Sequence, residues 1–403
     1  MAHPYLTLEE AVSLLLGQFT PVPAAEEVPL IQAVNRVSAA DVTAAVDHPP
    51  FNRSPLDGYA ARSRDLEEAS PSFPAVLEVT QRIYAGQVPA GPVQPGTCAR
   101  IMTGAPIPPG ADCVIRQEDT DYGEEQVRIF VSSAPHRNIC NRGEDLRKGA
   151  PILSRGTVLT PAHLGVLAGQ GVDRLSVVAP LTVGVLATGD ELVSPGTPLP
   201  PGKIYNSNGT YLSARLHQLG MCPRVEERGA DRLEVLTASL EALLDQCGAV
   251  ICTGGVSVGE KDLMPAALKA LGAQILFHGV AVKPGSPVLA ASVGDKPVLC
   301  LSGNPFAAAA TFEVLARPLL CRLAGWKDPM PRRVGGALTE PFPKASPGRR
   351  LVRARLEGSA VSLPSGEHVS GALSALIGCN CLIDIPAGSP PLSTHTPVEV
   401  VLL

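Results

Sequence analysis

Between residues 179 and 326 the chain alternates near-continuous apolar runs with helical patterns, and this alternation restricts the fold more than any other feature. "LTVGVLATG", "GAVICTGG", "AQILFHGVAV" and "KPVLCLSG" are short and apolar at successive positions, as strands buried on both faces must be. Helical patterns stand among them: "GTYLSARLHQLG" closing on Gly220, "DRLEVLTASLEALLDQC", a segment at about 262–271, and a long one in "PFAAAATFEVLARPLLCRLAG". The alternation predicts a doubly wound α/β domain over 179–326, with a parallel sheet covered on both sides.

The rest of the 403-residue chain is built differently. From 45 to 143, β-like pieces such as "AVLEVTQRI" and "QVRIFVSS" alternate with Pro/Gly loops such as "AGQVPAGPVQPG", which predicts a β-rich unit. Residues 144–178 form a connector, with a helix opening at "TPAHLG" where Thr160 stands as N-cap and Pro161 as the first helical residue. From 327 to 403, "RRLVRARLE", "NCLIDIPAG" and "PVEVVLL" predict a small terminal β domain. The first residues, "MAHPYLTLEEAVSLLLGQF", predict an amphipathic helix begun by a capping box from Thr7 to Glu10, and lack the basic start and cleavage site of a signal peptide. No apolar run approaches the roughly 20 residues that cross a bilayer. A soluble, cytoplasmic chain is expected.

Charge narrows the partners. With 33 basic and 38 acidic residues the net charge is −5, and no basic stripe is present, so neither nucleic acid nor a membrane surface is expected as a partner. The ten cysteines form no CxxC pair and have no histidine at zinc-ligand spacing; several lie in apolar runs, where a thiol is a small hydrophobe.

In an open α/β sheet the ligand lies beyond the carboxyl ends of the strands, so the residues after each strand are the candidates. Four loops qualify. "TGDEL" offers Thr188, Gly189 and Glu191, and "TGGVSVGEKD" offers Gly254, Gly255, Ser257, Gly259, Glu260 and Asp262. "VKPGSP" offers Lys283, and "LSGNP" offers Ser302, Gly303 and Asn304 ahead of a helix. Any one of these is equally a turn or a helix cap, but glycines at four strand ends together let backbone N–H groups approach a phosphate. Carboxylates at Glu191, Asp231 and Asp262 would repel such an anion unless a divalent cation lay between them, which points to Mg²⁺. There is no P-loop and no GxGxxG fingerprint. Upstream, "SPLDGYA" sets Asp57 in an Asp-Gly turn, which explains its backbone without giving it a role.

These loops, together with "SPLDGYA", "RIMTGAPIPPGADCVIRQED" and "RGEDLRKGAPILSRGT", closely resemble the molybdopterin molybdotransferase family, called MoeA in bacteria and matching the E-domain of gephyrin. The resemblance runs in order along nearly the whole chain. It implies a four-part subunit: a segmented elongated domain from 1–44 and 144–178, the inserted β-rich domain at 45–143, a molybdopterin-binding α/β domain at 179–326, and the C-terminal β domain at 327–403. It implies a homodimer with the cleft between subunits, and possible encounters with a molybdopterin adenylyltransferase and with molybdoenzymes. The implied reaction inserts molybdate into adenylylated molybdopterin and cleaves the phosphoanhydride to release AMP and molybdenum cofactor. Asp57, Thr103, Asp145, Glu191, Asp231, Asp262 and Lys283 fall where the family has functional polar residues, Glu191, Asp231 and Asp262 being the candidates for Mg²⁺. Arg353 and Ser370 fall on positions similar to the family's molybdate contacts. The chain departs from its relatives at Cys140-Asn141-Arg142, where a longer basic run can stand, and at Gly279 and Ser286, where lysines are frequent. Two other readings compete: a molybdopterin adenylyltransferase, which the 178 residues ahead of the α/β domain argue against, and a non-catalytic scaffold.

Overall fold

The computed structural model describes residues 5–21, 23–226, 232–256, 263–365 and 369–403. The chain divides into two compact units, one of Asp41–Ser154 with Pro161–Asp173, the other of Met1–Ala40, Arg155–Thr160 and Arg174–Leu403.

The first unit is built on a five-stranded sheet in the order Cys113–Arg116, Gly58–Ala61, Thr97–Ile101, Ala75–Ile83, Gln126–Ile129. All its pairings are antiparallel except that of Ala75–Ile83 with Thr97–Ile101. Alternate residues point to opposite faces of a strand, so Tyr59 and Ala61 enter one apolar cluster with Ile115, and Ala60 enters another with Ala99, Ile101 and Val114. Both faces are therefore covered, and the short apolar strands follow from that. The helix Pro161–Gly169 starts at the proline marked by the sequence.

In the second unit a six-stranded sheet runs in the order Cys222–Glu226, Thr182–Ala187, Ala249–Thr253, Lys296–Leu301, Leu289–Val293, Gln274–His278. The first four strands are parallel; Leu289–Val293 is antiparallel to both of its neighbours. Sequence patterning missed Leu289–Val293. The Gly294-Asp295 link to the next strand, Lys296–Leu301, is a two-residue hairpin turn, a signal that was available. Val185, Ile251 and Leu299 are buried in the core, and each contributes about 1.5–3 kcal/mol by leaving water. The edge strand Cys222–Glu226 is largely exposed and adds little. Helices Ser207–Gln218, Leu233–Gln246 and Met264–Ala270 accompany the sheet. The N-terminal helix Leu8–Gln18 joins the same core through Leu8, Ala11, Val12 and Leu15, its start fixed by the Thr7–Glu10 capping box.

The long helix expected at 305–325 is instead three successive segments: Pro305–Thr311, a π turn at Phe312–Ala316, and Arg317–Leu323. Pro318 is the cause, since it lacks an N–H and its ring would strike the carbonyl four residues back, so the ladder widens just ahead of it. The π turn holds Glu313, fully buried, which receives Arg215 Nε at 2.6 Å, Arg215 Nη2 at 3.1 Å and Arg317 Nη1 at 3.0 Å.

The C-terminal strands Arg349–Glu357, Ala360–Ser362, Arg333–Leu338, Pro397–Leu402 and Cys381–Ile385 pair in that order, and Cys381–Ile385 pairs again with Arg349–Glu357, which closes the sheet into a small barrel. The short strand Val282–Lys283, which lies between the α/β strands Gln274–His278 and Leu289–Val293 in the chain, pairs in parallel with Arg349–Glu357. Among the described residues, no helix is long and apolar enough to cross a membrane.

Candidate functional site

At the carboxyl ends of the three central parallel strands the chain turns at Thr188, Gly254 and Ser302, and the three turns are laced together. Thr188 donates its N–H to Thr253 O at 2.9 Å, and Gly254 donates to Leu301 O at 3.2 Å. Gly254 has φ of 88°, and a Cβ there would sit 2.4 Å from Thr188 O, so no other residue brings these backbones so close. Above the turns lies a cavity of about 470 Å³ lined by Thr188, Gly189, Glu191, Gly254, Gly255, Ser302, Gly303 and Asn304, all residues expected from the sequence.

Asn304 stands at the N-cap position of Pro305–Thr311, but its side chain makes no capping hydrogen bond, so capping does not account for it. Asn206 does cap, accepting from Gly209 N–H at 2.8 Å, and starts the Ser207–Gln218 helix two residues earlier than the sequence pattern indicated. That helix opens onto the cavity, with Tyr205, Asn206, Ser207 and Asn208 in the wall. Asn208 Nδ2 donates to Gly303 O at 2.9 Å and ties the helix to the third turn. Sequence reasoning missed these four residues. The "NSN" run before a helix, at the same sheet end as the glycine loops, was the signal.

Ser302, Asn304 and Pro287 also line a second cavity of about 680 Å³, whose wall includes Lys283, Ser286, Phe306, Lys344, Arg350 and Ser370. Ser370 and Lys283 thus line one cavity, and Lys344 and Arg350 were not foreseen. Arg353 does not line it. That side chain is fully buried, its guanidinium lies over the Phe306 ring at 4.1 Å, and it donates to Val369 O at 2.8 Å and to Ala372 O. Burial pushes its pKa down from the usual arginine value. Gly279 has φ of 114°, and a Cβ there would lie 2.3 Å from the Tyr5 ring, so Tyr5 fills the space a longer side chain would need.

In the β-rich unit, Asp57 and Thr103 meet: Asp57 Oδ1 accepts from Thr103 N–H at 2.7 Å and from Thr103 Oγ1 at 2.9 Å. Those bonds, the backbone one foremost, hold the Asp57 carboxyl below the usual carboxylate range. Asp145 is exposed on another loop of the same unit, its N–H donating to His48 O, and no hydrogen bond joins it to Asp57 or Thr103. Arg142 donates through Nε to Asp47 Oδ2 at 2.6 Å. Asp231, Ser257, Gly259, Glu260 and Asp262 lie outside the described residues. Among the described residues no cluster of three metal-ligating side chains is present.

The chain matches three family descriptions in order: "MoeA N-terminal region (domain I and II)" over residues 6–171, "Probable molybdopterin binding domain" over 184–322, and "MoeA C-terminal region (domain IV)" over 336–403. It is 35% identical over 400 residues to the molybdopterin molybdenumtransferase of Staphylococcus aureus strain COL, covering 98% of this chain and 95% of that one. To the enzyme of the same name from Bacillus subtilis strain 168 it is 37% identical over 385 residues, covering 94% and 90%. The solved structure of the molybdopterin biosynthesis MoeA protein from Pyrococcus horikoshii OT3 superposes with a TM-score of 0.87 at 29% identity, over 99% of this chain and 100% of that one. With identity of this level spread over all three regions, the chain belongs to the MoeA family of molybdopterin molybdenumtransferases.

Proposed function

We propose that the protein acts in molybdenum cofactor biosynthesis by inserting molybdate into adenylylated molybdopterin, with Mg²⁺-dependent cleavage of the phosphoanhydride that releases AMP and the finished cofactor. One observation carries the reading: a glycine-turn cavity suited to a phosphorylated ligand shares Pro287, Ser302 and Asn304 with a second cavity whose charged residues, among those described, are the cationic Lys283, Lys344 and Arg350. A substrate with a nucleotide at one end and an oxyanion reacting at the other needs two such adjoining chambers. Ser207 and Asn208, the first two residues of the helix, lie in the wall of the first chamber, where their helix-start amides favour phosphate.

The donor chemistry fits a hard divalent cation. The Glu191 carboxylate lines the phosphate chamber and folds over Gly189, where a Cβ would lie 2.5 Å from Glu191 Oε2, so the turn leaves room for that carboxylate. Asp231 and Asp262 would join Glu191 in holding Mg²⁺, which supplies charge neutralisation at the anhydride oxygens. Glu191 and the glycine turns orient the phosphates, and Lys283 and Ser370 hold the oxyanion beside them. Water adds across the P–O–P bridge, giving AMP and the phosphate of the cofactor, while the two dithiolene thiols bond the molybdenum of molybdate and pass their two protons to one of its oxygens, which leaves as water.

The reading includes a homodimer of four-part subunits in which Asp57, Thr103 and Asp145 of the β-rich domain serve the partner's cleft, a cytoplasmic setting, and transfer of the product to molybdoenzymes. An adenylyltransferase or a scaffold is not favoured, because the family match extends through the N-terminal and C-terminal regions and the relatives are named transferases. The test is incubation of the pure protein with adenylylated molybdopterin, Mg²⁺ and molybdate, following AMP and cofactor. Molybdate-dependent AMP release is expected; ATP consumption without it would sink the reading.

A further inference from the structure

The strand Val282–Lys283 is held to the barrel by two register pairs, Val282 with Arg349 and Lys283 with Arg350. Paired residues of parallel strands leave the sheet on the same face, so Lys283 and Arg350 stand side by side in the wall of the cavity of about 680 Å³, whose described lining holds no carboxylate. Like charges set opposite one another in a sheet are destabilising, and so short a pairing has few backbone bonds to resist them. Something else must keep it closed.

The opposite face of the strand supplies it. Arg349, one residue before Arg350, lines a separate cavity of about 550 Å³ at the start of the N-terminal helix, together with Glu9, Arg333, Asp384 and Glu399. All three of its side-chain nitrogens donate there: Nε to Asp384 Oδ1 at 2.7 Å, Nη2 to Asp384 Oδ2 at 2.6 Å, and Nη1 to Glu9. Asp384 is buried and also accepts from Arg333 Nη1 at 2.8 Å, so a second barrel strand pins the carboxylate. The planar fork makes both bonds to Asp384 at once, which fixes the direction of the side chain as well as its distance. Glu9 belongs to the N-terminal helix, and two residues ahead of that helix Leu6 O accepts from Ala281 N–H at 2.8 Å. The N-terminal segment therefore grips both sides of the short pairing, Ala281 through its backbone and Arg349 through Glu9. The Glu9 end is exposed and adds little alone; Asp384 is the anchor.

We propose that Arg349 is a positioning residue for the oxyanion chamber: from the far face of the strand it locks Lys283 and Arg350 into register against their mutual repulsion, so that both cations are in place before the anion arrives. The inference rests on the molybdate-insertion reading, in which Lys283 meets the oxyanion. An anion between the two cations and the clamp behind them oppose the same repulsion, so each makes the other less necessary.

The test is amide exchange of residues 280–283 and 349–352 in the full-length protein, read by mass spectrometry with and without molybdate. Arg349→Gln should raise exchange there at least tenfold, and Arg349→Lys by less than threefold, because the charge and one bond remain. Adding Lys283→Gln to Arg349→Gln should return exchange to within threefold of wild type, since the repulsion is gone, and molybdate should suppress the exchange of Arg349→Gln itself. In the AMP-release assay, Arg349→Gln should need at least fivefold more molybdate for half-maximal rate, with kcat within twofold of wild type, because a saturating anion closes the pair again. A residue that merely stabilised the barrel would open the strands whatever stood at position 283. Exchange in Arg349→Gln that is unaffected by Lys283→Gln, or that stays within twofold of wild type, therefore overturns the proposal. Exchange that depends on the charge at 283 while wild type releases no AMP upholds the clamp and overturns only the reaction.

Discussion

Glu313 is the place where one substitution should show how the cavity is held open. Its carboxylate is fully buried inside the π turn, bridged by both Arg215 nitrogens and by Arg317. Arg215 belongs to the helix that begins at Ser207, while Glu313 follows directly from the helix that begins at Pro305; both helix starts line the cavity. The two helices are thus joined at the cavity by Asn208 and Gly303 and further along by this ion pair. Glu313→Ala takes the shared carboxylate from two guanidinium groups, leaving Arg215 on Gln218 Oε1 and Arg317 on Leu402 O, and breaking a buried pair in this way costs about 3–5 kcal/mol. With 1 kcal/mol equivalent to roughly 2–4 °C in a unit of this size, the midpoint should fall by about 10 °C. Glu313→Gln keeps the shape and loses only charge-assisted bonding, about 2 kcal/mol. Replacing Arg215, Glu313 and Arg317 together by Met, Leu and Met should recover most of the loss, because a well-packed apolar set is often as stable as the buried ions. Thermal and urea unfolding of the three variants decide the matter. A loss below 1 kcal/mol in Glu313→Ala, or a triple variant worse than the single one, would refute the argument.

Two further outcomes follow from other sites. Asp57→Asn keeps the turn and the contacts to Thr103 in outline but removes the charge, so kcat should fall at least tenfold while the Tm stays within 2 °C, roughly the shift of a surface change; equal turnover in the AMP-release assay would return Asp57 to a turn residue. Burial opposes ionisation of Asp384, but hydrogen bonds and charge from Arg349 and Arg333 outweigh it and leave its pKa below the model-compound value of 3.8. The sign follows: with the folded pKa depressed, Asp384 stabilises the barrel fully above pH ~4 and loses that contribution as the pH falls through the folded pKa. Acid unfolding should therefore shift upward in pH in Asp384→Asn relative to wild type, and identical acid transitions would exclude the role.

What the sequence disclosed depended on how local the cause was. The central strands were legible because burial on both faces leaves a continuous apolar run, and the ligand-binding loops because a parallel sheet puts its turns at one edge. The Thr7–Glu10 cap, the Pro161 helix start and the glycine turns are short-range effects of the same kind. Tyr205 to Asn208 escaped because the helix pattern was anchored on its apolar face, two residues into the helix. The π turn escaped because apolar periodicity continues unbroken across Phe312–Ala316, although Pro318 was in plain view.

Pairings between distant segments were beyond reach of pattern alone. Nothing local tells that Asp57 accepts two bonds from Thr103, or that Val282–Lys283 leaves the α/β sheet to join the barrel. The run "RRLVRARL" shows what that costs a functional reading. It offers four arginines on a strand, and resemblance selects Arg353 as the ligand. Residues 350 and 353 are an odd number apart, so strand alternation sends them to opposite faces. Arg350 shares its face with Val352 and Ala354, which belong to the barrel core along with Phe342, and stands opposite Lys283; Arg353 shares its face with Leu351, which packs with Phe306 in the α/β core. Of these two arginines Arg350 is the one that lines the cavity with Lys283, and the register that sets it there is fixed by two residues of a strand far away in the chain.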